Sequence, residues 1–454
     1  MSRTTATAFL VFLAPLLNTL PVRSTLLYAD EPAAAARSDE ARDKPQAEPK
    51  FPNFESDNRA YLTDLRLLEG ELKRLRDDRE WRSAFVQFLG TQQSFLGRYS
   101  EALATFDDGR GYITSNASAD LSEYEALDAV ETLLELADRH QVIMINEAHH
   151  VPLHRAFTIG LLTGLYKKGF RYFAAESLTA KDESLSTHGY PTLHTGYYLH
   201  EPLCADLVRI AHELGYQVVP YEFEPGDANG DDDLIASQNA REEGQARNLK
   251  QRILDKDPQA KILVHAGYAH IYKRAKTWEL GGQKGEVRQM ALCFQQLTGI
   301  EPMSVDQTQF TEHSKPKYDS PVYRQAIERG LLKHKPVILR QGDGHSFYSP
   351  QEAVDLAVFH PRTRYERGRP SWLSLGGRRQ PHAVQSDQRP AAGALYLAQA
   401  FYAHEEDPDA APIDQIAYGP DEPPPTLWLP AGKFRVRIVD ESGKTLHEYA
   451  AACE

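Results

Sequence analysis

Residues 141–177, QVIMINEAHHVPLHRAFTIGLLTGLYKKGFRYFAAES, contain two short apolar segments with a helical pattern between them. The first segment, at 142–145, is too short for a helix and rich in β-branched residues, which is typical of a buried strand. Apolar residues then recur at spacings of three and four from 153 to 165, and Gly169 ends this pattern. The second apolar segment lies at 172–175. Together these features predict a β-α-β unit, and hence an α/β fold with a mostly parallel sheet flanked by helices.

Four predicted strands are each followed by an acidic residue or a histidine. Besides the strands at 142–145 and 172–175, apolar segments predict strands at 217–221 and 261–264. In open α/β sheets ligands bind beyond the carboxyl ends of the strands, so these side chains are expected at one rim of the sheet. The residues that follow the strands are Glu147, Glu176, Glu222 and His265, and His149, His150 and His270 lie close to them in the sequence.

Carboxylates and imidazoles gathered at one rim allow two kinds of chemistry. A histidine that activates water, oriented by a glutamate, would hydrolyse an ester or an amide. Alternatively, two histidines and two glutamates supply the ligands that Zn²⁺, Mn²⁺ or Fe²⁺ accept, and such a metal lowers the pKa of bound water. No nucleophilic serine motif occurs near the predicted strands, which argues against a covalent acyl-enzyme.

Each residue of this set also has an ordinary structural interpretation. A carboxylate such as Glu147 or Glu176 is favourable near a helix N-terminus. His149 and His150 are adjacent in the sequence, so they do not easily point in the same direction, and one of them is expected to be a loop residue. Structural hydrogen bonds and ion pairs would explain the weaker members of the set equally well: Glu222, His265 and Arg241. The alternative for Arg241, early on a helix predicted over 234–254, is to hold an anionic substrate group.

Composition and charge restrict the class of protein. With 454 residues, 41% of them hydrophobic, the chain can bury a large core. The formal net charge of −13 argues against nucleic acid as the main partner. Arg3 precedes an apolar run at 6–20 that is short for a membrane span and resembles a secretory signal peptide, assigned to 1–36. These features predict an exported protein, periplasmic or extracellular, without a transmembrane segment.

The remaining chain divides into four predicted regions. Residues 37–54, rich in alanine, proline and charge, are expected to be a disordered linker. A helical segment is predicted over 55–120, and an α/β core over 121–390 that begins with a helix at 122–140 and includes an irregular stretch at 368–388. Apolar Phe434, Val436 and Ile438 alternate with basic residues before a turn at 442–443, which predicts a small β-rich module over 391–454.

Several short motifs resemble one superfamily, which includes erythromycin esterases, ChaN-type haem-binding lipoproteins and TIKI-type metalloproteases. The sequence NEAHH at 146–150 is similar to that group's Gly-Glu-x-(x)-His, with asparagine in place of the usual glycine. Glu176 follows the next strand, GYAH at 267–270 is similar to the group's Gly-x-x-His, and 241–248 is similar to an Arg-Asp/Glu…Asn helix of the esterases. The resemblance covers residues 121–309 approximately.

The resemblance implies roles for individual residues. The expected function is an exported hydrolase that activates water with glutamate and histidine, with or without a divalent metal, on a small-molecule or peptide substrate. The alternative is a haem- or iron-binding protein without turnover. The expected catalytic residues are Glu147, His149, His150, Glu176 and His270. The residues expected to contact substrate are Arg241, Glu222 and His265. The expected ligands, if a metal is bound, are Glu147, His149, Glu176 and His270.

Overall fold

The computed structural model describes residues 49–52, 60–75, 79–110, 119–176, 178–223, 233–280, 282–347 and 353–454. The predicted signal peptide, and the predicted linker apart from residues 49–52, lie outside the described residues. Within the described part of the chain, no helix is long and apolar enough to cross a membrane.

Helices cover the N-terminal segment and flank a central sheet. A π-helical turn, Lys250–Leu254, continues the long helix that starts at Leu234. The α-helices are α1 (Tyr61–Arg74), α2 (Arg79–Phe95), α3 (Tyr99–Arg110), α4 (Ala129–Leu136), α5 (Leu153–Lys167), α6 (Ser184–His188), α7 (Pro202–Glu213), α8 (Leu234–Leu249), α9 (Met290–Thr298) and α10 (Pro321–Glu328).

Strands form one large sheet and several small antiparallel ones. The large sheet contains β1 (Tyr124–Asp128), β2 (Val142–Glu147), β3 (Phe170–Ala175), β4 (Gln217–Pro220), β5 (Lys261–Gly267), β8 (Met303–Phe310), β9 (Val337–Gln341) and β10 (Leu356–Phe359). The other strands are β6 (Lys276–Leu280), β7 (Gln283–Val287), β11 (Tyr365–Glu366), β12 (Arg369–Pro370), β13 (Arg379–Ala383), β14 (Tyr396–Tyr402), β15 (Asp414–Tyr418), β16 (Thr426–Pro430), β17 (Gly432–Val439) and β18 (Thr445–Cys453).

The eight strands of the large sheet follow the order β1-β9-β10-β8-β2-β5-β3-β4. Neighbouring strands pair in parallel except at β9, which is antiparallel to both β1 and β10. Strand β2 is buried along its whole length, because neighbours lie on both sides and layers of helix cover the sheet. The predicted α/β class, with a mostly parallel sheet flanked by helices, is confirmed.

The register of three adjacent strands determines which side chains meet. Glu147 at the end of β2 lies opposite Gly267 at the end of β5. Ala175 at the end of β3 lies opposite His265, two residues before the end of β5. Glu176 is the next residue after β3. The carboxyl ends of β2, β5 and β3 therefore form one continuous rim, as expected for parallel neighbours.

Two predictions of secondary structure are wrong. The first half of the helix predicted over 122–140 is strand β1, and α4 starts only after Asp128, whose carboxylate caps the backbone N–H groups of Val130 and Glu131. The stretch predicted to be irregular at 368–388 contains β12 and β13, and β13 pairs with β16. Strands β1 and β13 each pair with a strand far away in the sequence, and this pairing overrides the local preference.

The C-terminal residues contain a four-stranded antiparallel sheet in the order β15-β14-β17-β18. Phe434, Val436 and Ile438 are buried on β17, as their alternation predicts, and the turn before β18 includes Gly443. At the other end of the chain, α1 buries Leu62, Leu65 and Leu68 in the core that it shares with α2, and Phe51 stacks on Phe85 of α2. The predicted N-terminal helical segment and C-terminal β structure are therefore both present.

Candidate functional site

Glu147 is the centre of a buried network at the end of β2. Its Oε1 accepts hydrogen bonds from Arg155 Nη2 at 2.6 Å and from His149 Nδ1 at 2.9 Å. Its Oε2 accepts from Arg155 Nε at 2.6 Å and faces His265 Nε2 at 2.8 Å. Burial opposes ionisation of Glu147, but the guanidinium of Arg155 and the hydrogen bonds from both histidines hold its pKa well below the usual range. Glu147 is therefore an anion that orients two imidazoles.

Arg155 belongs to this network although no sequence motif pointed to it. It lies in the first turn of α5 and is fully buried. Its remaining amino group, Nη1, donates to Oε2 of Glu201 at 3.0 Å, and the same Oε2 accepts from the backbone N–H of Cys204 at the start of α7. A cation at a helix N-terminus is unfavourable to the helix dipole. An arginine in the first turn of an apolar helix is therefore the sequence feature by which Arg155 could have been recognised.

His149 is held on one side and has a free nitrogen on the other. Because Nδ1 faces the ionised Glu147, this nitrogen carries the hydrogen, and Nε2 presents a lone pair. Within the described residues Nε2 has no hydrogen-bond partner, and it is not among the fully occluded polar atoms. The ring stacks on Tyr198, with centroids 4.1 Å apart. His149 therefore has the tautomer and orientation of a general base.

Gly267 is the point at which His149 and Glu176 meet. A Cβ atom at this position would lie 2.6 Å from His149 Nε2 and 2.8 Å from Glu176 Oε2, closer than packed atoms approach. The backbone φ of Gly267 is −74°, which any residue can adopt. Its backbone N–H donates to Oε2 of Glu176. A glycine is therefore required here for space, and its missing side chain lets the free nitrogen of His149 approach a second carboxylate.

Glu176 belongs to a second arginine cluster. Arg241 Nη2 donates to Glu176 Oε1 at 2.9 Å, and Arg241 Nη1 lies 3.0 Å from His270 Nε2. Arg241 also makes a bidentate contact with Glu222, at 2.9 and 2.8 Å. Burial opposes ionisation of Glu176, but His270 and Arg241 lower its pKa to about 2. The contacts of Arg241 thus join three residues that follow different strands.

His270 is oriented by Glu242, a residue that is not among the predicted site residues. His270 Nδ1 lies 2.8 Å from Glu242 Oε2, which also accepts from the backbone N–H of Met290 at 2.6 Å. Gln238 donates to the other carboxylate oxygen at 2.6 Å. In its neutral form, His270 therefore donates from Nδ1 and accepts from Arg241 at Nε2. Burial opposes a charge on His270, whereas Glu242 and Glu176 raise its pKa.

The adjacent histidines point to different neighbours. His150 stacks on Phe106 of α3, with centroids 3.6 Å apart, and its Nδ1 lies 3.2 Å from the hydroxyl of Tyr268. Tyr268 has a φ of 38°, in the left-handed region that non-glycine residues rarely adopt. Asn146 donates to its carbonyl oxygen at 2.8 Å and so stabilises this turn. His150 therefore faces the N-terminal helices, and Tyr268 separates it from His149.

The structure thus brings most of the predicted site residues into one network. His265, predicted to contact substrate, lies between Glu147 and Thr158, whose Oγ1 is 3.3 Å from His265 Nδ1. Glu222, also predicted to contact substrate, is paired with Arg241. The predicted residues that the network connects are Glu147, His149, His265, Glu176, Glu222, Arg241 and His270.

The four residues predicted as metal ligands do not fit that role in this arrangement. Each of the two carboxylates, Glu147 and Glu176, already contacts a buried guanidinium group, which occupies the position that a cation would take. Among the described residues, no group of three or more His, Cys, Asp or Glu side chains is placed to hold a metal ion. The haem-binding alternative stays a prediction.

Comparisons with known proteins find only distant structural similarity. No family model and no curated protein matches the chain. Among solved structures, the type III effector HopBA1 is 14% identical with a TM-score of 0.31, covering 54% of this chain and 99% of that one. RRSP, a MARTX toxin effector domain from Vibrio vulnificus, is 18% identical with a TM-score of 0.29, covering 53% and 46% of the two chains.

A further structure, described as bacterial protein toxins, is 17% identical with a TM-score of 0.29. That similarity covers 40% of this chain, which spans only 37% of the length of the other. The resemblance to the superfamily of erythromycin esterases, ChaN-type and TIKI-type proteins therefore stays a prediction that rests on the sequence motifs.

Proposed function

We propose that this protein is a hydrolase of ester or amide bonds in which His149 is the general base. The observation that carries the proposal is the state of the His149 ring. Its Nδ1 is hydrogen-bonded to the ionised Glu147, and its Nε2 has no partner among the described residues. An imidazole oriented by a carboxylate, with its second nitrogen free, is the arrangement that general-base catalysis requires.

The proposed reaction uses residues of both clusters. His149 Nε2 takes a proton from a water molecule while the water oxygen attacks the carbonyl carbon of the substrate. Glu147 stabilises the imidazolium that forms, and Arg155 keeps Glu147 ionised. Glu176, next to Nε2 across Gly267, accepts the second hydrogen of the water and orients it. The tetrahedral intermediate then collapses, and the leaving group takes the proton from His149.

Arg241 and His270 support this step by positioning Glu176. Among the described residues, the Arg241 guanidinium contacts Glu176, Glu222 and His270, and these contacts favour a role in orienting carboxylates over one in binding a substrate anion. The Gly267 N–H holds the other oxygen of Glu176. The carboxylate is thus fixed on both sides.

The test compares two histidine variants in assays with panels of esters, amides and peptides. His149→Gln should lower kcat/KM by about 10²–10⁴-fold, the usual contribution of a general base. The matched control is His313→Gln, because His313 Nδ1 also pairs with a buried carboxylate, that of Asp107 at 2.7 Å, outside the site. Equal activity of wild type and His149→Gln would contradict the assignment. Metal analysis and a haem titration of the same preparation test the two alternatives.

We also propose that the protein is exported, because residues 1–36 resemble a signal peptide. Expression of the full-length chain in a bacterium, followed by mass spectrometry of the periplasmic fraction, should give a protein that lacks the apolar segment. Recovery of the intact N-terminus in the cytoplasm alone would contradict export.

A further inference from the structure

Tyr198 has a buried hydroxyl group that the proposed mechanism does not use. The residue lies on a 3₁₀ turn, Tyr197–His200, in the connection between α6 and α7, and only 2% of its surface is exposed. Its ring stacks on His149 with an interplanar angle of 18°. The hydroxyl oxygen has no hydrogen-bond partner among the described residues. A buried hydroxyl without a partner is destabilising, so its presence beside His149 calls for an explanation.

Burial and the neighbouring carboxylates keep the Tyr198 hydroxyl protonated. Burial raises the pKa of Tyr198, and the carboxylate of Glu176 raises it further, with a smaller contribution from Glu147. The phenol therefore keeps its proton and is a hydrogen-bond donor. The free Nε2 of His149 also borders Glu176, across Gly267. A hydrogen-bond donor without an acceptor therefore belongs to the ring that stacks on the ring of the base.

We propose that Tyr198 is a further catalytic residue, whose O–H donates a hydrogen bond to the carbonyl oxygen of the substrate as that oxygen becomes negatively charged. This inference rests on the proposed function. As the water oxygen forms its bond to the carbonyl carbon, the π electrons of C=O move to the oxygen, and the Tyr198 hydrogen bond stabilises the resulting oxyanion. Tyr198 keeps its proton throughout. The proton of the water goes to His149 Nε2 and then to the leaving group.

The hydroxyl is closed off in the described state, so substrate binding has to move the segment that carries it. That segment lies between two contacts: the isolated bridge between Leu178 and Gly196 on one side, and the start of α7 at Pro202 on the other. A donor that gains its acceptor only when substrate is bound is useful for catalysis, because its hydrogen bond is strongest in the transition state.

The test compares two tyrosine-to-phenylalanine variants that each remove one unpaired buried hydroxyl. Tyr198→Phe keeps the ring that stacks on His149. Tyr418→Phe is the matched control, because the Tyr418 hydroxyl is also buried without a partner, on β15. Both variants should have a Tm equal to or above that of wild type, since each loses an unsatisfied polar group. Only Tyr198→Phe should lower kcat, by about 10²-fold.

A binding measurement separates this inference from the proposed function. Isothermal calorimetry with 4-nitrophenyl methylphosphonate, a tetrahedral anion, should show binding to wild type that Tyr198→Phe weakens at least tenfold. If wild type binds the phosphonate in this way but hydrolyses no substrate, the proposed function fails and the donor role of Tyr198 stands. If wild type turns over substrate and Tyr198→Phe matches it in both kcat and phosphonate affinity, the donor role is overturned. Absence of both turnover and binding in wild type overturns both.

Discussion

Arg155 and Arg241 are both buried, and each contacts a glutamate at the end of a strand, but the surroundings of the two arginines differ. Arg155 lies between Glu147 and Glu201, and all three side chains are almost completely hidden from solvent. Arg241 contacts Glu176 and Glu222, and the side chain of Glu222 is 18% exposed. The first cluster is thus sealed, whereas the second is open to water on one side.

This difference indicates that the two clusters have different roles. In the sealed cluster each guanidinium nitrogen of Arg155 donates to a carboxylate or a carbonyl oxygen, and Glu147 in turn orients the imidazoles of His149 and His265. In the open cluster one guanidinium is shared by several groups, and His270 can take up or release a proton to balance charge. The sealed cluster is suited to holding a base in one tautomer, and the open one to adjusting to a ligand.

The largest expected effect comes from removing the arginines. Arg155→Met leaves Glu147 and Glu201 buried without a counter-charge and should reduce the free energy of unfolding by about 3–5 kcal/mol. Arg241→Met should reduce it less, by about 1–3 kcal/mol, because Glu222 can be hydrated and His270 can be protonated. Urea denaturation of both variants measures the difference, with the exposed Arg247→Met as control. Equal losses of unfolding free energy in Arg155→Met and Arg241→Met would mean that the exposure of Glu222 does not reduce the cost of removing Arg241.

A second effect appears on acidification. The pKa of Glu176 is lowered from 4.5 to about 2 in the folded protein, so its ionised form stabilises the fold. This stabilisation, about 3 kcal/mol, is present above pH 4.5 and is lost as the pH falls towards 2. Glu176→Gln should therefore be less stable at pH 7 and should lose less stability between these pH values than wild type does. Parallel stability curves for the two proteins would refute the assignment; Glu222→Gln is the control.

The smallest expected change in stability concerns Gly267, where the two clusters approach each other. Gly267→Ala places a methyl group against His149 Nε2 and Glu176 Oε2, and such overpacking costs about 1–3 kcal/mol. Activity should fall much more than stability, because the methyl group occupies the position from which water would reach the base. Gly160→Ala on α5 is the control, since nothing lies within 4 Å of its Cβ position. Gly267→Ala with wild-type kcat would show that the clusters do not act together.

The sequence by itself determined the layers of this protein and which acidic and histidine residues follow its strands. The helical spacing over 153–165 and the apolar segments on either side are local features of the sequence, so they predicted the β-α-β unit. The strand ends marked by Glu147 and Glu176 could be predicted in the same way. The alternation of residues 434–438 predicted the C-terminal strand β17 for the same reason.

Only the tertiary structure decided how those residues meet. The turn at Tyr268 decides that His149, and not His150, points towards Glu147. Strand β1 forms because β9 lies beside it. Arg155 contacts not only Glu147 but also Glu201, which is 46 residues away. Periodicity reports which face of an element is buried. Register between strands and the packing of distant segments decide which buried polar groups become partners, and the low dielectric of the interior makes those partnerships strong.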